Sequence, residues 1–487
     1  MHLKELLSEA DYLEIIGDID MDIKGLSYDS RVVKEGDLFF CIKGLRADGH
    51  SFAKKAEEAG AKATVVEYLQ PDLSITQILV GNARKAMARL ASAFFGHPTK
   101  RLNLVGITGT NGKTTTSFMT ESIFNAVGQK TGLLGTIEYR IMGEKLPVSR
   151  TTPESLDLQS FFARMVDAGV QTAVIEVSSH AIDLLRVEAC SFDAVVFTNL
   201  SQDHLDYHGT MESYFKVKKR IFDATIHKNV AQIINIDDNY GRYLIREGSC
   251  KQLRYSTKEK VELYAKDITL RADGSSFILE SPGGSVDVTL KLPGHYNVYN
   301  ALAAAGAAIA LGVNIDDVKK GLEALGSVPG RFERVDCGQN FTVVVDYAHT
   351  PDSLGKIIGA ARQLTERKVI TVFGCGGDRD RSKRPEMGRI ATALSDYTII
   401  TSDNPRSEDP LKVIEDIKSG IKELEKVRFE TEEDRRLAIK LAFERADQGD
   451  IVVIAGKGHE QGQEIAGKMI PFDDVEVARE LLREMVE

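Results

Sequence analysis

The stretch Gly109-Thr110-Asn111-Gly112-Lys113-Thr114-Thr115 sets two glycines, an ammonium and three hydroxyls between an apolar run at 104–107 and a helix-patterned segment at 115–127. A strand that turns through glycines into a helix N-terminus directs unpaired backbone N–H groups and the positive end of the helix dipole at an anion. Lys113, read as an exposed loop side chain, then supplies a point charge for the outer phosphates of a nucleotide, and the Thr114 or Thr115 hydroxyl a ligand for Mg²⁺. The spacing departs from the usual phosphate loop, because the residue five before Gly112 is Ile107 and the nearest glycines are Gly106 and Gly109.

Further polar motifs follow other apolar runs. Glu176-Val177-Ser178-Ser179-His180 places a carboxylate, two hydroxyls and an imidazole after 173–177, and hard oxygen ligands suit Mg²⁺. The same residues also read as a serine N-cap beside a surface histidine. Asn199-Leu200-Ser201-Gln202-Asp203-His204-Leu205-Asp206-Tyr207-His208-Gly209 is dense enough in His and Asp to suggest a second metal or phosphate contact, with a polar turn carrying capping aspartates as the lesser alternative. On 211–222, Tyr214, Val217 and Ile221 share a helix face, and periodicity alone assigns Lys216, Lys218, Lys219 and Arg220 to solvent. Asn297 and Asn300, ahead of the Ala-rich run 301–311, either read a base edge or cap a helix.

In the last third, Asp346-Tyr347-Ala348-His349 follows an apolar run and offers a carboxylate for a ribose or an amino group. The segment 374–385 joins flexible backbone to several guanidinium groups, whose fork suits carboxylate or phosphate. Asp403-Asn404-Pro405-Arg406 and Gly456-Lys457-Gly458-His459-Glu460 end two more runs. In open α/β sheets ligands collect beyond the carboxyl ends of the strands, which is where the loop motifs that follow apolar runs fall.

To hold such loops the chain needs parallel sheets, and the patterning supplies them. The 487 residues exceed one hydrophobic core. A block at 1–99 carries short strands at 37–42, 61–66 and 75–80 and a helix at 83–95, and His97-Pro98-Thr99-Lys100 reads as its exit linker. A second block, 100–330, has buried strands at 104–107, 173–177, 194–197 and 232–236, then antiparallel strands over 251–292 with a turn at Pro282-Gly283-Gly284. The third, 331–487, alternates strands at 342–345, 369–373, 397–401 and 451–455 with helices. The expected architecture is α/β in three domains: a central P-loop-type ATPase sheet, an α/β amino-terminal domain and a Rossmann-like carboxy-terminal domain. Five scattered cysteines (Cys41, Cys190, Cys250, Cys337, Cys375) without a CxxC pair argue against a disulfide framework or zinc, and fit a reducing cytoplasm. A net charge of −10 argues against nucleic-acid binding, and no apolar stretch is long enough for membrane insertion.

Thr108 to Thr114, Glu176 to His180, Asn297 with Asn300 and Gly330-Arg331-Phe332-Glu333 together resemble the Mur ligase family over essentially the whole chain. Tyr28-Asp29-Ser30-Arg31, Gly36-Asp37-Leu38-Phe39-Phe40, Asp48-Gly49-His50 and the run from Asp346 to Ser353 point to its diaminopimelate-adding branch. The resemblance implies a cytoplasmic, ATP-dependent ligation in peptidoglycan precursor synthesis, joining meso-diaminopimelate to the D-Glu γ-carboxylate of UDP-MurNAc-L-Ala-D-Glu through an acyl phosphate. A lysine-adding ligase and a folylpolyglutamate-synthase-like ligase are the alternatives. The resemblance assigns ATP to residues 109–115 (Gly109, Thr110, Asn111, Gly112, Lys113, Thr114, Thr115) with Asn300, Arg331 and Asp346. Mg²⁺ falls to Thr114, Glu176, His204 and Lys218, the last as a CO₂-derived carbamate. The UDP-linked acceptor falls to Ser30, Thr151, Thr152, Ser178 and Arg186, with Arg150 left unassigned. The diamino acid falls to Arg379, Asp403, Asn404, Pro405, Arg406, Gly456 and Glu460, where Arg406 meets the distal carboxylate.

Overall fold

The computed structural model describes residues 1–44, 47–148, 150–225, 229–246, 251–271, 273–421 and 428–486. Cys250 lies outside them; Cys41, Cys190 and Cys375 are buried free thiols and Cys337 is partly buried. The chain divides into two compact units, one of Met1–Thr108, Gly128–Val195 and Arg220–Val230, the other of Gly109–Val127, Val196–Lys219 and Ala231–Glu487.

The first unit opens with a five-stranded sheet in the order Glu14–Ile16, Thr76–Leu79, Ala63–Val66, Asp37–Phe40, Gly25–Ser27. Only its Glu14–Ile16 edge runs antiparallel. The helix Ala83–Phe94, capped by the Asn82 side chain on the Lys85 N–H, buries Met87, Leu90 and Ala91 in the core formed with Leu38, Phe40, Val65 and Ile78. Further on, Thr172–Glu176 lies between Asn103–Thr108 and Thr131–Leu134, parallel to both, and its five residues are all buried. Such continuous burial is why this segment reads as an unbroken apolar run rather than an alternation.

In the second unit Ala231–Asn235, Lys251–Ser256 and Leu263–Arg271 are parallel neighbours, followed by antiparallel Gly274–Ser281 and Gly284–Leu290. The expectation of antiparallel strands throughout 251–292 is therefore corrected for the first of them: Lys251–Ser256 extends the parallel set. The turn between Ser281 and Gly284 falls where the Pro-Gly-Gly sequence placed it. The Ala-rich helix begins at His295, six residues ahead of the apolar run, and its small side chains pack closely on the helix Lys113–Ala126. Its start escapes capping rules because Gly294 (φ +95°) stands at the N-cap and offers no side chain.

The carboxy-terminal sheet runs Glu333–Val335, Thr342–Asp346, Ile451–Ala455, Val369–Phe373, Tyr397–Ile400, Phe429–Thr431, parallel except for the first pair. Alternate strand residues serve opposite faces. Val344, Phe373, Ile400 and Val453 pack with Leu354, Met387 and Ile417, while Val343, Val345, Ile370, Val372 and Ile454 pack with Ile439, Phe443 and Leu481. Helices on both faces of a parallel sheet make this part doubly wound, as the periodicity predicts.

Candidate active site

The strand Asn103–Thr108 ends in the glycine turn, and the helix it feeds starts at Lys113 with Gly112 (φ +87°) before it. The turn is fixed from Asn199, whose side chain accepts from the Asn111 N–H (3.0 Å) and donates to the Asn111 carbonyl (3.0 Å). Thr198 Oγ1 donates to that carbonyl too (2.7 Å). Close packing leaves no room for side chains here: a Cβ on Gly109 would lie 1.9 Å from Thr198 Oγ1, and one on Gly112 2.4 Å from Asn300 Oδ1. Asn300 in turn donates to Asn297 Oδ1 (3.0 Å), and Asn297 to the Pro293 carbonyl (2.8 Å). The two asparagines thus brace the helix start against the loop from within, and neither is an N-cap.

Lys113 is half-buried, not exposed, and donates to the Gly109 and Thr110 carbonyls at 3.0 and 2.8 Å. Lys218 is 1% exposed, donates to the same Gly109 carbonyl at 3.0 Å and lies over the Tyr214 ring. The solvated placement drawn from periodicity is overturned for it. Tyr214, Lys218, Ile221 and Phe222 form the buried stripe of Met211–Asp223, at spacings of four, seven and eight residues. Burial, and then the ammonium of Lys113, push the Lys218 amine well below its ordinary pKa.

Asp203 was named only within its motif, yet it is the anion of this cluster. Burial alone would raise its pKa, but His204, His349, Lys383 and Lys113 outweigh that and hold it at about 2. His204, in left-handed backbone (φ +53°), has Nε2 3.4 Å from Asp203 Oδ2. Thr114 Oγ1 accepts from Arg331 Nη2 (3.1 Å), whose guanidinium stacks over Tyr347. Asp346 accepts the Phe332 N–H at 2.8 Å, and burial raises its pKa despite Arg331. Of these groups Arg331 and Asp346 border a cavity of about 460 Å³, which Gly112, Asn300, His295 and Tyr299 also line.

In the carboxy-terminal sheet Asp403, Asn404, Gly456 and Glu460 come together. Asn404 Nδ2 donates to Glu460 Oε2 (2.7 Å), and a Cβ on Gly456 would meet Asp403 Oδ2 at 2.4 Å. Two residues absent from the expected site hold them. Lys457, fully buried, donates to Gly462 O (2.6 Å), Asn404 Oδ1 (3.2 Å) and Glu460 Oε2 (3.2 Å). Arg435 pairs with buried Asp474 and donates to the Ser402 and Ala455 carbonyls, tying two strand ends together. Arg435 opens the helix Arg435–Arg445 between charged Asp434 and Arg436, and nothing in that run marks it as the buried one. Pro405 is buried, and Arg406 (φ +52°) donates to the Gly377 carbonyl at 2.5 Å while its Nε sits 3.4 Å from Glu464. Arg379 is exposed, its Nη1 on the Asp378 carbonyl.

The first unit holds the remaining residues. Glu176 is buried and accepts from the Thr136 N–H (2.8 Å) and Oγ1 (3.0 Å). Thr151 Oγ1 accepts from Thr136 Oγ1 (3.2 Å), and Thr152 Oγ1 donates to the Glu176 carbonyl (2.8 Å) while accepting the Ser178 N–H (3.1 Å). Ser178 also caps Ser179–Asp183, so its capping role is real. Arg186 Nη1 donates to the Thr152 carbonyl at 3.0 Å. Ser30 is buried in the loop after Gly25–Ser27, where Tyr28 Oη donates to Asp157 (2.6 Å). Among the described residues no three His, Cys, Asp or Glu side chains form a metal-binding group; the expected set instead draws on a threonine hydroxyl and a modified lysine.

A glycine-turned phosphate loop with two lysines on one carbonyl, ahead of a doubly wound domain, defines a nucleotide-using α/β enzyme. Residues 22–95 match the model described as Mur ligase family, catalytic domain; 107–308 match Mur ligase middle domain; and 330–458 match Mur ligase, glutamate ligase domain. The chain belongs to the Mur ligase family, whose members are ATP-dependent, amide-forming ligases. It is 46% identical over 474 residues, 96% of each chain, to a Bacillus licheniformis protein, and 45% identical over 493 residues, 100% of each, to one from Clostridium tetani. Both relatives are named UDP-N-acetylmuramoyl-L-alanyl-D-glutamate--2,6-diaminopimelate ligase. A solved structure of a protein with that name superposes at TM-score 0.71 and 33% identity, covering 100% of this chain and 99% of its own.

Proposed function

We propose that this chain joins meso-diaminopimelate to the D-Glu γ-carboxylate of UDP-MurNAc-L-Ala-D-Glu at the expense of ATP, in the cytoplasmic synthesis of peptidoglycan precursors that supports cell division. The observation that carries this reading is its whole-length likeness, at 45–46% identity, to ligases bearing that name. Three domains divide the work: 1–99 holds the UDP end, 100–330 ATP, and 331–487 the amino acid.

A carboxylate oxygen is a poor leaving group and phosphate a good one. The γ-carboxylate therefore attacks the terminal phosphorus of ATP, ADP departs, and the amine then attacks the acyl carbon, expelling phosphate and losing a proton. Backbone N–H groups at the start of the helix Lys113–Ala126 cradle the phosphates, and Lys113 neutralises charge as the phosphoryl group moves. Asn300, Arg331 and Asp346 complete the nucleotide site. Thr151, Thr152, Ser178, Arg186 and Ser30 orient the acceptor.

By the family resemblance Thr114, Glu176 and His204 would hold Mg²⁺, a cation that takes hard oxygen ligands and would offset phosphate charge. Lys218 joins that set as a carbamate. CO₂ reacts with the neutral amine, and burial together with the Lys113 charge favours that form. The product replaces an ammonium, which a cation repels, with an anionic oxygen ligand.

Arg406 meets the distal carboxylate of diaminopimelate, with Arg379 beside it. Glu460, positioned by Asn404 and Lys457, faces the distal ammonium. The test is phosphate release by purified protein with ATP, Mg²⁺ and the acceptor, offered meso-diaminopimelate, L-lysine or L-ornithine in turn. Release that depends on meso-diaminopimelate is expected. Release without any amine would instead indicate a plain ATPase, and equal use of L-lysine would remove the specificity assignment.

A further inference from the structure

Arg150, which no motif explains, leads to a cluster of charge in the first unit. Glu154 is the N-cap residue of the helix Ser155–Asp167, yet its side chain makes no capping bond. It gathers three guanidinium groups instead: Arg84 Nη1 at 2.8 Å, Arg150 Nη1 at 2.5 Å and Arg186 Nη2 at 2.9 Å. Glu154 is 4% exposed, Arg84 and Arg186 are 15% and 8% exposed, and Arg150 is 52% exposed.

The charges do not balance. The nearby carboxylate, Asp157, is engaged by Tyr28 Oη, so three cations face two acidic groups. Donors are in excess as well, since each guanidinium carries five N–H groups and a carboxylate offers about four acceptor positions. Part of the remainder is spent on backbone: Arg84 Nη2 on the Lys43 carbonyl (3.1 Å) and Arg186 Nη1 on that of Thr152 (3.0 Å). Arg186 Nε is buried and has no hydrogen-bond partner. A buried donor left unpaired is costly, and an excess of guanidinium groups is the arrangement that an oxyanion satisfies. The cluster is also fixed in place. The backbone of Arg150 is held at both ends by Tyr139 Oη, which donates to its carbonyl and accepts from its N–H, and Thr151 and Thr152 follow directly.

We propose that Arg84, Arg150 and Arg186, assembled on Glu154, form an oxyanion subsite of the acceptor site, in which half-exposed Arg150 is the residue that engages incoming substrate. This rests on the reading of the chain as a ligase of a UDP-linked peptide. Glu154 is the positioning residue: it keeps three like charges together before the anion arrives. Besides the γ-carboxylate that reacts, the acceptor offers two oxyanions, the diphosphate and the D-Glu α-carboxylate, and both would be met by the same fork of N–H donors.

Arg150→Ala and Arg150→Lys test this, because a half-exposed side chain can be removed with little effect on folding. Calorimetric binding of UDP-MurNAc-L-Ala-D-Glu without ATP should weaken about tenfold in Arg150→Ala, the size of one charged hydrogen bond. Arg150→Lys should recover part of that, and the loss in turnover should fall on KM for the acceptor, with KM for ATP unchanged. Two probes separate the sources. If the diphosphate is bound, UDP alone loses affinity in Arg150→Ala; if the α-carboxylate is bound, the wild type prefers the acid over its α-carboxamide and the variant does not. Unchanged acceptor affinity in Arg150→Ala, or a fall in kcat alone, would overturn the inference. Failure of the wild type to turn over the acceptor would instead overturn the ligase reading beneath it.

Discussion

Lys113 and Lys218 donate to one carbonyl, that of Gly109, and the Lys113 ammonium adds to burial in raising the cost of charging Lys218. Two expectations follow at this scale. Lys113→Ala should abolish phosphate release while circular dichroism still reports a folded chain; near-normal release from folded variant would refute the role given to the lysine. For Lys218, protein equilibrated with ¹³C-bicarbonate should show a carbamate carbon in its NMR spectrum, and Lys218→Arg should not. A wild type without that signal removes the assignment. Arg406→Ala should lower kcat/KM for meso-diaminopimelate by one to two orders of magnitude, roughly the 1.5–3 kcal/mol of a charged hydrogen bond, and leave KM for ATP unmoved. Lys113 and Arg406 were legible because the loops that carry them have distinctive composition, whereas Lys218, on a helix, was singled out by the family resemblance alone. Their surroundings were not legible. That Lys218 is buried follows from Tyr214 and Ile221 lying four and three residues from it on one helix, but a lysine at such a position is ordinarily solvated, and only the fold decides. Asp203, Lys457 and Arg435 could not be singled out, since each also depends on partners distant in sequence: His349 and Lys383, Asn404, and Asp474.

Strand ends position the motifs, and here the sequence is most transparent. Buried parallel strands leave continuous apolar runs such as Ala194–Phe197 and Val369–Phe373 that begin and stop close to where the ladder does. What stayed hidden was pairing: nothing local to Lys251–Ser256 tells a parallel neighbour from an antiparallel one. Glycines in the phosphate turn carry a prediction. Gly112→Ala places a Cβ against Asn300 Oδ1 in left-handed backbone, and should cost about 1–2 kcal/mol in urea denaturation and raise KM for ATP. In the carboxy-terminal sheet Glu408 binds buried Arg384 through both oxygens, at 2.9 and 3.0 Å, and also pairs with Arg381. The hydrogen bonds from Arg384 pull its carboxyl down to about 2, from an ordinary 4.5. Because the folded pKa is the lower, this stabilisation is complete above about 4.5 and is lost as pH falls toward 2. Glu408→Gln should therefore lower stability by about 2–3 kcal/mol at neutral pH and flatten the acid limb of the urea midpoint. An acid limb as steep as in the wild type would show that other carboxylates govern it.

Over the whole molecule, the residues assigned to the acceptor fall in the first unit, whereas those assigned to ATP and the amino acid all fall in the second. The repeated use of strand ends made this set legible from sequence as a site rather than a collection of turns, and the resemblance of its motifs to the Mur ligase family supplied the ligase reading. The distribution also fits a reaction in which two substrates are held separately and joined through a reactive intermediate, so the decisive test follows an atom from one to the other. With ¹⁸O in the D-Glu γ-carboxylate of the acceptor, and meso-diaminopimelate and ATP supplied, mass spectrometry of the released phosphate should find one ¹⁸O for each amide formed. Label retained wholly in the peptide, or recovered in AMP, would contradict the account.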